Sequence, residues 1–209
     1  MTIWKYIAAA VLGYLLGSLS FSLLLTRLRY GKDIRECGSG NAGATNTARV
    51  FGMGAGVLTL VGDMAKTAAA GLLGRLLGGE TGLSVALAAC LLGHCFPIYH
   101  GFRGGKGVSV SGCIALLLDW RMFLIIVAVF GVAAVLSGRV SLGSVTAALA
   151  YPWAYLLLPG NGIDSGFWVC CLVMVLVIFL HRANIGRLLR GTEPKFKPGG
   201  KKKDEKTDS

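Results

Sequence analysis

Charged residues are scarce in this 209-residue sequence, where they make up only 15% of the chain. Soluble domains carry about 25% charged residues, so this chain has too little charge to cover a water-facing globule of its size. Hydrophobic residues make up 54%. This composition argues against a soluble enzyme, a disordered regulator and a secreted disulfide scaffold. It predicts an all-α membrane protein, because lipid cannot satisfy exposed backbone polar groups.

The sequence also lacks any Cys-x-x-Cys pair and any pair of carboxylates suited to acid–base work. Most of its cysteines lie within apolar runs, where small buried hydrophobes are expected. No metal-ligand cluster is evident, and we predict neither a metal nor another cofactor. The six cysteines are Cys37, Cys90, Cys95, Cys113, Cys170 and Cys171.

Long apolar segments account for the shortage of charge. A membrane-spanning helix needs about 20 mostly apolar residues, and the first candidate shows no clear cleavage site that would mark a signal peptide. We predict a polytopic bundle of seven transmembrane helices, of which two are shorter, at about 108–118 and 122–137. The seven candidates are Ile7–Leu25, Ala55–Leu77, Leu83–Tyr99, Val108–Leu118, Met122–Ser137, Ser141–Leu158 and Phe167–Leu180.

Positive charge is unevenly divided between the two sets of connecting segments. Seventeen of the lysines and arginines lie in 26–50, in 100–107, at Arg139 or after Leu180, and three lie on the other side. Cytoplasmic loops carry the excess of Lys and Arg. The C-terminus is therefore predicted to be cytoplasmic and, with seven spans, the N-terminus to be outside.

The end of the sequence differs in composition from the rest. It is polar and lysine-rich, which is typical of disorder, so we predict one transmembrane domain over 1–192 and a disordered basic tail over 193–209. The tail either solubilises the chain or contacts anionic lipid. The net charge of +11 would favour nucleic acid in a soluble protein, but charges between apolar runs indicate membrane orientation. We predict no nucleic-acid partner and no obligate protein partner.

Three polar segments interrupt the apolar pattern on the predicted cytoplasmic side. The first contains G-x-G-x-x-G at Gly38, Gly40 and Gly43, but a membrane span precedes it, so a dinucleotide site is excluded. Glycine N–H groups and a helix start instead suit an anion. A helix from about Gly40 would place Asn41, Thr45 and Arg49 on one face. A plain glycine-rich loop is the alternative.

The second polar segment runs from His94 to Gly107. It resembles a P-loop, but Gly107 stands where Ser or Thr is required, so ATP binding is not expected. Flexible N–H donors beside Lys106 still suit phosphate. His94 is either a core histidine or a site residue.

The third polar segment runs from His181 to Glu193. There His181 and Asn184 share a helix face, and Arg187 continues it; the alternative is a basic helix at the lipid headgroups. Asp63 and Lys66 lie inside a predicted span, where charges are costly. Their i, i+3 spacing predicts that they pair with each other, which favours a structural role.

Taken together, the three segments resemble the bacterial acyl-phosphate:glycerol-3-phosphate acyltransferase family. The first matches its Ser-Gly-Asn-x-Gly-Ala-Thr-Asn-x-x-Arg signature at Ser39–Arg49. The second matches His-x-x-Pro and Gly-Gly-Lys-Gly-Val at His94 and Gly104–Val108, and the third matches at His181–Glu193. The resemblance covers about residues 1–195. It implies transfer of a fatty acyl group from acyl phosphate to glycerol 3-phosphate, giving lysophosphatidic acid and phosphate, at the cytoplasmic face of the bacterial inner membrane.

The resemblance also implies roles for particular residues. It makes Ser39, Arg49, His181 and Asn184 catalytic, and it associates the glycine-lysine motif with glycerol 3-phosphate. For Glu193 a structural role competes with substrate binding. The substrate-binding candidates are Gly40, Asn41, Thr45, Asn46, His94, Gly104, Gly105, Lys106, Arg187 and Glu193.

The chemistry of an acyl phosphate suits these residue types. A mixed anhydride has a stable leaving group and needs no covalent enzyme intermediate, so the protein must position two phosphates and one hydroxyl. The general base stays open between His181, His94 and a substrate phosphate. A transporter for a phosphorylated anion is the alternative function. It would normally carry its substrate-binding groups near the midplane of the membrane and often contain an inverted repeat. A scaffold protein would leave the three segments unexplained.

Overall fold

The computed structural model describes residues 3–197 and 199, and the regular structure within them is helical. Short 3-10 turns lie at Ile34–Glu36 and Ile98–His100. The helices are α1 (Ile3–Gly17), α2 (Phe21–Tyr30), α3 (Ala44–Phe51), α4 (Met53–Cys95), α5 (Val108–Leu118), α6 (Trp120–Ser137), α7 (Val140–Leu156), α8 (Ser165–Leu180) and α9 (Arg182–Leu189).

The first predicted span is broken rather than continuous. The predicted span Ile7–Leu25 lies within Ile3–Tyr30, which is long and apolar enough to cross a membrane, but α1 ends at Gly17 and α2 begins at Phe21. The break frees backbone carbonyls inside an apolar segment, where an unpaired polar group is costly. The side chain of Lys66 satisfies two of them, donating from Nζ to the carbonyls of Gly17 at 2.9 Å and Leu19 at 2.5 Å.

The second and third predicted spans are the two arms of α4. The chain leaves helical geometry at Gly78 (φ −144°) and Gly79 (φ 62°), between the predicted ends Leu77 and Leu83. The arms then pack closely, since a β-carbon on Gly74 would collide with the carbonyl of Gly82. The second arm ends at Cys95, earlier than the predicted Tyr99, because a 3-10 turn follows.

The remaining helices follow the predicted segments. Helix α5 has the predicted bounds, and Asp119 starts α6 by accepting a hydrogen bond at 2.8 Å from the backbone N–H of Arg121. With 18 residues, α6 is not a short helix, which corrects the prediction for 122–137. Among the described residues, Ile3–Tyr30, Met53–His100 and Trp120–Ser137 are long and apolar enough to cross a membrane. The pair α8 and α9, bent by 61°, is a fourth such segment when it is counted as one span.

The bundle packs around the second arm of α4. Leu87 and Leu91 from that arm meet Ile114 of α5, Tyr151 of α7 and Val173 of α8 in one buried cluster. By contrast, α6 turns large apolar side chains outward, which suits contact with lipid.

The chain after α9 lies against the bundle as far as it is described. Glu193 is buried, its carbonyl accepts a hydrogen bond at 2.9 Å from Nε of Arg139, and the N–H of Phe196 donates to Gly138 at 2.9 Å. These contacts fall within the range predicted as a tail. The rest of that range, at 198 and 200–209, lies outside the described residues.

Candidate functional site

A cavity of about 560 Å³ opens between α3, the first arm of α4 and helices α5 to α9. Its polar end collects side chains from all three sequence motifs, and its other end is apolar. The predicted site residues that line it are Ser39, Asn41, Thr45, Asn46, Arg49, His94, Lys106, His181, Asn184, Arg187 and Glu193. The three predicted glycines, Gly40, Gly104 and Gly105, shape the backbone beside it.

The first motif forms a tight loop that Asn46 holds together. Its Nδ2 donates to the carbonyls of Cys37 at 2.9 Å, Asn41 at 3.1 Å and Ile34 at 3.2 Å, and its Oδ1 accepts from the N–H of Ser39 at 2.8 Å. Gly40 has a φ of +73°, a conformation that glycine adopts without steric cost. The amide of Asn46 is thus committed to the loop.

Helix α3 presents the rest of the first motif to the cavity. It begins at Ala44, after Gly43, rather than near Gly40, the start that the spacing argument assumed. Asn41 therefore lies in the turn before the helix, while Thr45 and Arg49 stay one turn apart on one face. All three still line the cavity.

The second motif lies against the end of α4. The N–H of Gly104 donates to the carbonyl of Cys95 at 3.2 Å, and that of Gly105 donates to the carbonyl of His94 at 3.1 Å. A β-carbon on Gly105 would collide with the imidazole of His94, so this position requires glycine. The loop places Lys106 in the cavity wall.

Lys106 joins the second motif to the third. Its Nζ donates to Oδ1 of Asn184. Burial lowers the pKa of Lys106, and the nearby Arg187 and Arg49 lower it further, whereas Glu193 opposes them. A cation surrounded by other cations is a favourable place for a multiply charged anion such as phosphate.

The third motif is a hydrogen-bonded chain ending at Glu193. Nδ2 of Asn184 donates to Oε1 of Glu193 at 2.6 Å, and Nε of Arg187 donates to Oε2 at 2.6 Å. Burial opposes the ionisation of Glu193, but these hydrogen bonds hold its pKa below the ordinary value. The carboxylate therefore fixes two side chains that face the cavity.

His181 lies at the bend between α8 and α9 rather than on the same helix as Asn184. Its Nδ1 is 2.8 Å from the carbonyl of Val177. Since a carbonyl only accepts, Nδ1 carries the proton, and we assign Nε2 of the neutral ring as an acceptor. That arrangement is suitable for receiving a proton or a hydroxyl hydrogen bond.

Several hydroxyl groups in the cavity wall were not predicted as site residues. The hydroxyl of Ser111 is buried and makes no hydrogen bond within the described residues. Ser109 donates to Oδ2 of Asp63 at 2.9 Å, and Tyr151 donates to the carbonyl of Ser111 at 2.5 Å. Small polar residues inside apolar helices were the available signal, but the same residues also serve helix packing.

The apolar end of the cavity runs between the helices. Its wall comes from the first arm of α4 and from α6, α7 and α8. The apolar residues lining it are Leu60, Met64, Phe123, Ile126, Val127, Phe130, Ala147, Ala148, Val173 and Val177.

Comparison with known proteins gives consistent matches over nearly the whole chain. A family model described as glycerol-3-phosphate acyltransferase matches residues 7–191. The chain is 44% identical to a glycerol-3-phosphate acyltransferase of Geobacillus kaustophilus over 193 residues, covering 92% of this chain and 96% of the relative. It is 43% identical to one of Maricaulis maris, covering 97% and 91% of the two chains.

Solved structures agree with the sequence matches. The fold is similar to the crystal structure of PlsY, an integral membrane glycerol 3-phosphate acyltransferase, in its glycerol 3-phosphate form, with a TM-score of 0.84, 33% identity and coverage of 92% and 96%. The lysophosphatidic acid form of PlsY gives a TM-score of 0.81 with 31% identity and coverage of 92% and 95%.

Proposed function

This chain belongs to the glycerol-3-phosphate acyltransferase family and has the PlsY fold, and from that membership we propose its donor, product and site. The donor is an acyl phosphate, the acceptor is the 1-hydroxyl of glycerol 3-phosphate, and the products are lysophosphatidic acid and inorganic phosphate. The supporting observation is a single cavity with a cationic end and an apolar end, which matches reactants that combine phosphate with a fatty chain.

The polar end is assigned to the two phosphates. Arg49, Lys106 and Arg187 supply positive charge from three separate motifs, and arginine binds phosphate oxygens in a bidentate manner. Ser39, Asn41 and Thr45 offer further donors beside them.

The apolar end is assigned to the acyl chain. Phe123, Ile126 and Phe130 of α6 line it together with Val173 and Val177 of α8. Burial of each methylene of a fatty chain between such side chains contributes about 0.8 kcal/mol. A fatty chain lying in this end would place its acyl carbonyl at the boundary between the apolar and polar ends of the cavity, beside the cations.

The reaction needs positioning more than a reactive side chain. The 1-hydroxyl oxygen attacks the carbonyl carbon, a new ester bond forms, and the carbonyl–phosphate bond breaks with phosphate as the leaving group. Correct orientation contributes about 7–11 kcal/mol to such a step in the best cases, and cations and N–H groups stabilise the developing negative charge. The hydroxyl proton goes either to Nε2 of His181, which is an acceptor, or to a substrate phosphate.

The membrane arrangement is proposed from the charge distribution. We place the N-terminus outside and the C-terminus in the cytoplasm of a bacterial inner membrane, with seven spans and the polar end of the cavity on the cytoplasmic side. Residues 1–192 form the catalytic domain. The basic segment 193–209 is its cytoplasmic tail, the first residues of which touch the bundle.

An assay in detergent tests the proposed function. Purified protein should release phosphate only when acyl phosphate and glycerol 3-phosphate are both present, and Arg49→Ala and His181→Ala should each lose most turnover. Arg75→Ala is the matched control, because Arg75 is exposed and pairs with Glu80 at 2.8 Å away from the cavity. Near-normal turnover in the two site variants would show that Arg49 and His181 do not have the proposed roles. Flux of substrate into vesicles without acyl transfer would support a transporter instead.

A further inference from the structure

Three titratable side chains form a buried cluster directly behind the second motif. Asp63 and Lys66 lie on the first arm of α4 and His94 lies at the end of the second arm. Their exposed fractions are 1%, 4% and 4%. The predicted pairing of Asp63 with Lys66 is confirmed, with 3.2 Å between Oδ1 and Nζ, but neither residue has a part in the proposed reaction.

The ammonium group of Lys66 has three N–H bonds, and their acceptors explain how the cluster is held together. Two donate to the carbonyls of Gly17 and Leu19, and the third points to Nδ1 of His94 at 3.1 Å. No proton is left for the carboxylate of Asp63, and its Oδ1 makes no hydrogen bond within the described part of the chain. Asp63 therefore compensates the charge of Lys66, while Lys66 uses its protons elsewhere.

This arrangement determines which nitrogen of His94 carries a proton. The ammonium of Lys66 only donates, so Nδ1 must accept and the ring must be neutral. The alternative acceptor for an Nδ1 proton is Oδ1 of Asp63, but it is 3.7 Å away, beyond hydrogen-bond range. The remaining proton lies on Nε2, which is the tautomer opposite to that assigned to His181.

The protonated nitrogen of His94 faces the glycine-lysine loop at Gly105. A β-carbon on Gly105 would collide with Nε2, and His94 lines the cavity. The hydrogen bonds within the described residues include one at Nδ1 of His94 and none at Nε2. A neutral N–H donor is thus held beside Lys106, without a partner among residues 3–197 and 199.

We propose that Lys66, compensated by Asp63, is a positioning residue that holds His94 as an Nε2–H donor to a phosphate oxygen of bound glycerol 3-phosphate. The assignment of that substrate rests on the proposed function. In this arrangement His94 is a binding residue and not the general base, because its free nitrogen already carries a proton. Lys66 acts only through His94 and through the carbonyls at the break between α1 and α2.

The tautomer is measured directly by long-range ¹H–¹⁵N correlation spectra of protein labelled with ¹⁵N-histidine. The chain has only three histidines, so the spectrum of His94→Gln assigns the signal. We expect the Nε2–H form of His94 in the unliganded wild type, and a shift of that signal on addition of glycerol 3-phosphate. In Lys66→Met we expect the preference for Nε2–H to be lost. A wild-type ring protonated on Nδ1 would overturn the proposal.

Kinetics provide the second readout. A lost hydrogen bond to a charged group corresponds to roughly a tenfold or greater effect, so Lys66→Met and His94→Phe should raise the KM for glycerol 3-phosphate by about that factor. The KM for acyl phosphate should change much less. His94→Gln, which keeps an N–H donor, should recover part of the loss. Unchanged KM values in Lys66→Met and His94→Phe would also overturn the proposal.

Two further variants separate positioning from general destabilisation. Lys66→Met leaves Asp63 buried without its partner, so Asp63→Asn combined with Lys66→Met removes both charges and should show the same tautomer and KM changes. Thr59→Val is the control on the same arm, since Thr59 is fully buried and donates only to the carbonyl of Ala55 at 2.9 Å; it should leave both readouts unchanged. If the wild type fails to transfer acyl groups but shows the Nε2–H signal, the proposed function fails and the assignment of His94 stands.

Discussion

The carboxylate of Glu193 orients two side chains of the third motif that line the cavity, Asn184 and Arg187. Because Nδ2 of Asn184 donates to Glu193, Oδ1 of the same amide is left facing Nζ of Lys106. Arg187 is held by the second carboxylate oxygen. One residue after α9 therefore fixes a chain of contacts reaching the glycine-lysine loop, which favours a structural role for Glu193 over direct contact with substrate.

The lowered pKa of Glu193 predicts how this contribution depends on pH. A carboxyl group with a lowered pKa in the folded state stabilises that state above its ordinary pKa of 4.5, and the contribution is lost as the pH falls through the lowered value. Thermal unfolding in detergent should show Glu193→Gln a few degrees below wild type at neutral pH. The gap should narrow below about pH 4.5; a gap that stays constant through that range would contradict the ionised role.

The role of Asn46 could not be predicted from the sequence. Its residue type suggested substrate binding, and it does lie in the cavity wall, but its amide is engaged by four backbone groups of its own loop. An asparagine that binds a ligand and one that holds a loop look alike in a motif. The difference depends on where the carbonyls of Ile34 and Cys37 turn, which only the folded backbone fixes.

At the scale of the helices, glycines determine how α1 meets the second arm of α4. β-Carbons on Gly13 and Gly17 would collide with the backbone of Ala86 and Cys90, and one on Gly93 with the carbonyl of Tyr14. Close approach through small residues is the usual way in which helices associate in lipid.

A pair of glycine-to-alanine substitutions tests this packing. Gly17→Ala should lower the stability of the bundle by about 1–3 kcal/mol, the usual range for overpacking. Gly131→Ala in α6 is the matched control, because open space surrounds that position, and it should unfold at or slightly above the wild-type temperature. Thermal unfolding in the same detergent makes the comparison, and equal melting of the two variants would show that the close approach is not needed.

Helix ends with local causes were predicted well, and those with distant causes were not. Gly78 and Gly79 separate the arms of α4 at the predicted place, and the start of α5 follows directly from the glycine-lysine loop. The carbonyls at the break after Gly17 accept hydrogen bonds from Lys66, 49 residues further along the chain. Ser20 is the N-cap residue of α2, a residue type favoured at helix starts, but small polar residues also serve helix packing in lipid, so the sequence did not distinguish the two.

At the scale of the whole molecule, the two ends of the bundle carry different polar groups. The site, with its arginines and Lys106, lies at one end. At the other, Asp119 binds Arg121, and Asn161 donates to Asp119 at 3.3 Å. Hydrogen bonds from Arg121 hold the pKa of Asp119 at about 2 against the effect of burial, so this pair stays ionised.

Labelling tests the proposed sidedness. In right-side-out vesicles, a membrane-impermeant maleimide should modify Ile163→Cys, and it should modify Arg190→Cys only after permeabilisation. Both positions are exposed. The labelling variants are made in a protein in which Cys37 and Cys171 are replaced by serine, because these two native thiols are only half-buried. The opposite labelling pattern would invert the topology.

The short length of α5 bears on where the proposed site lies relative to the membrane surfaces. Its 11 residues extend about 16 Å at 1.5 Å per residue, against a hydrocarbon layer of about 30 Å. In the proposed arrangement, an upright α5 with Asp119 at the outer surface is too short to bring the glycine-lysine loop level with the cytoplasmic surface. In that arrangement glycerol 3-phosphate enters a recess below the cytoplasmic surface to meet the acyl donor, and the acylated product forms close to the lipid tails.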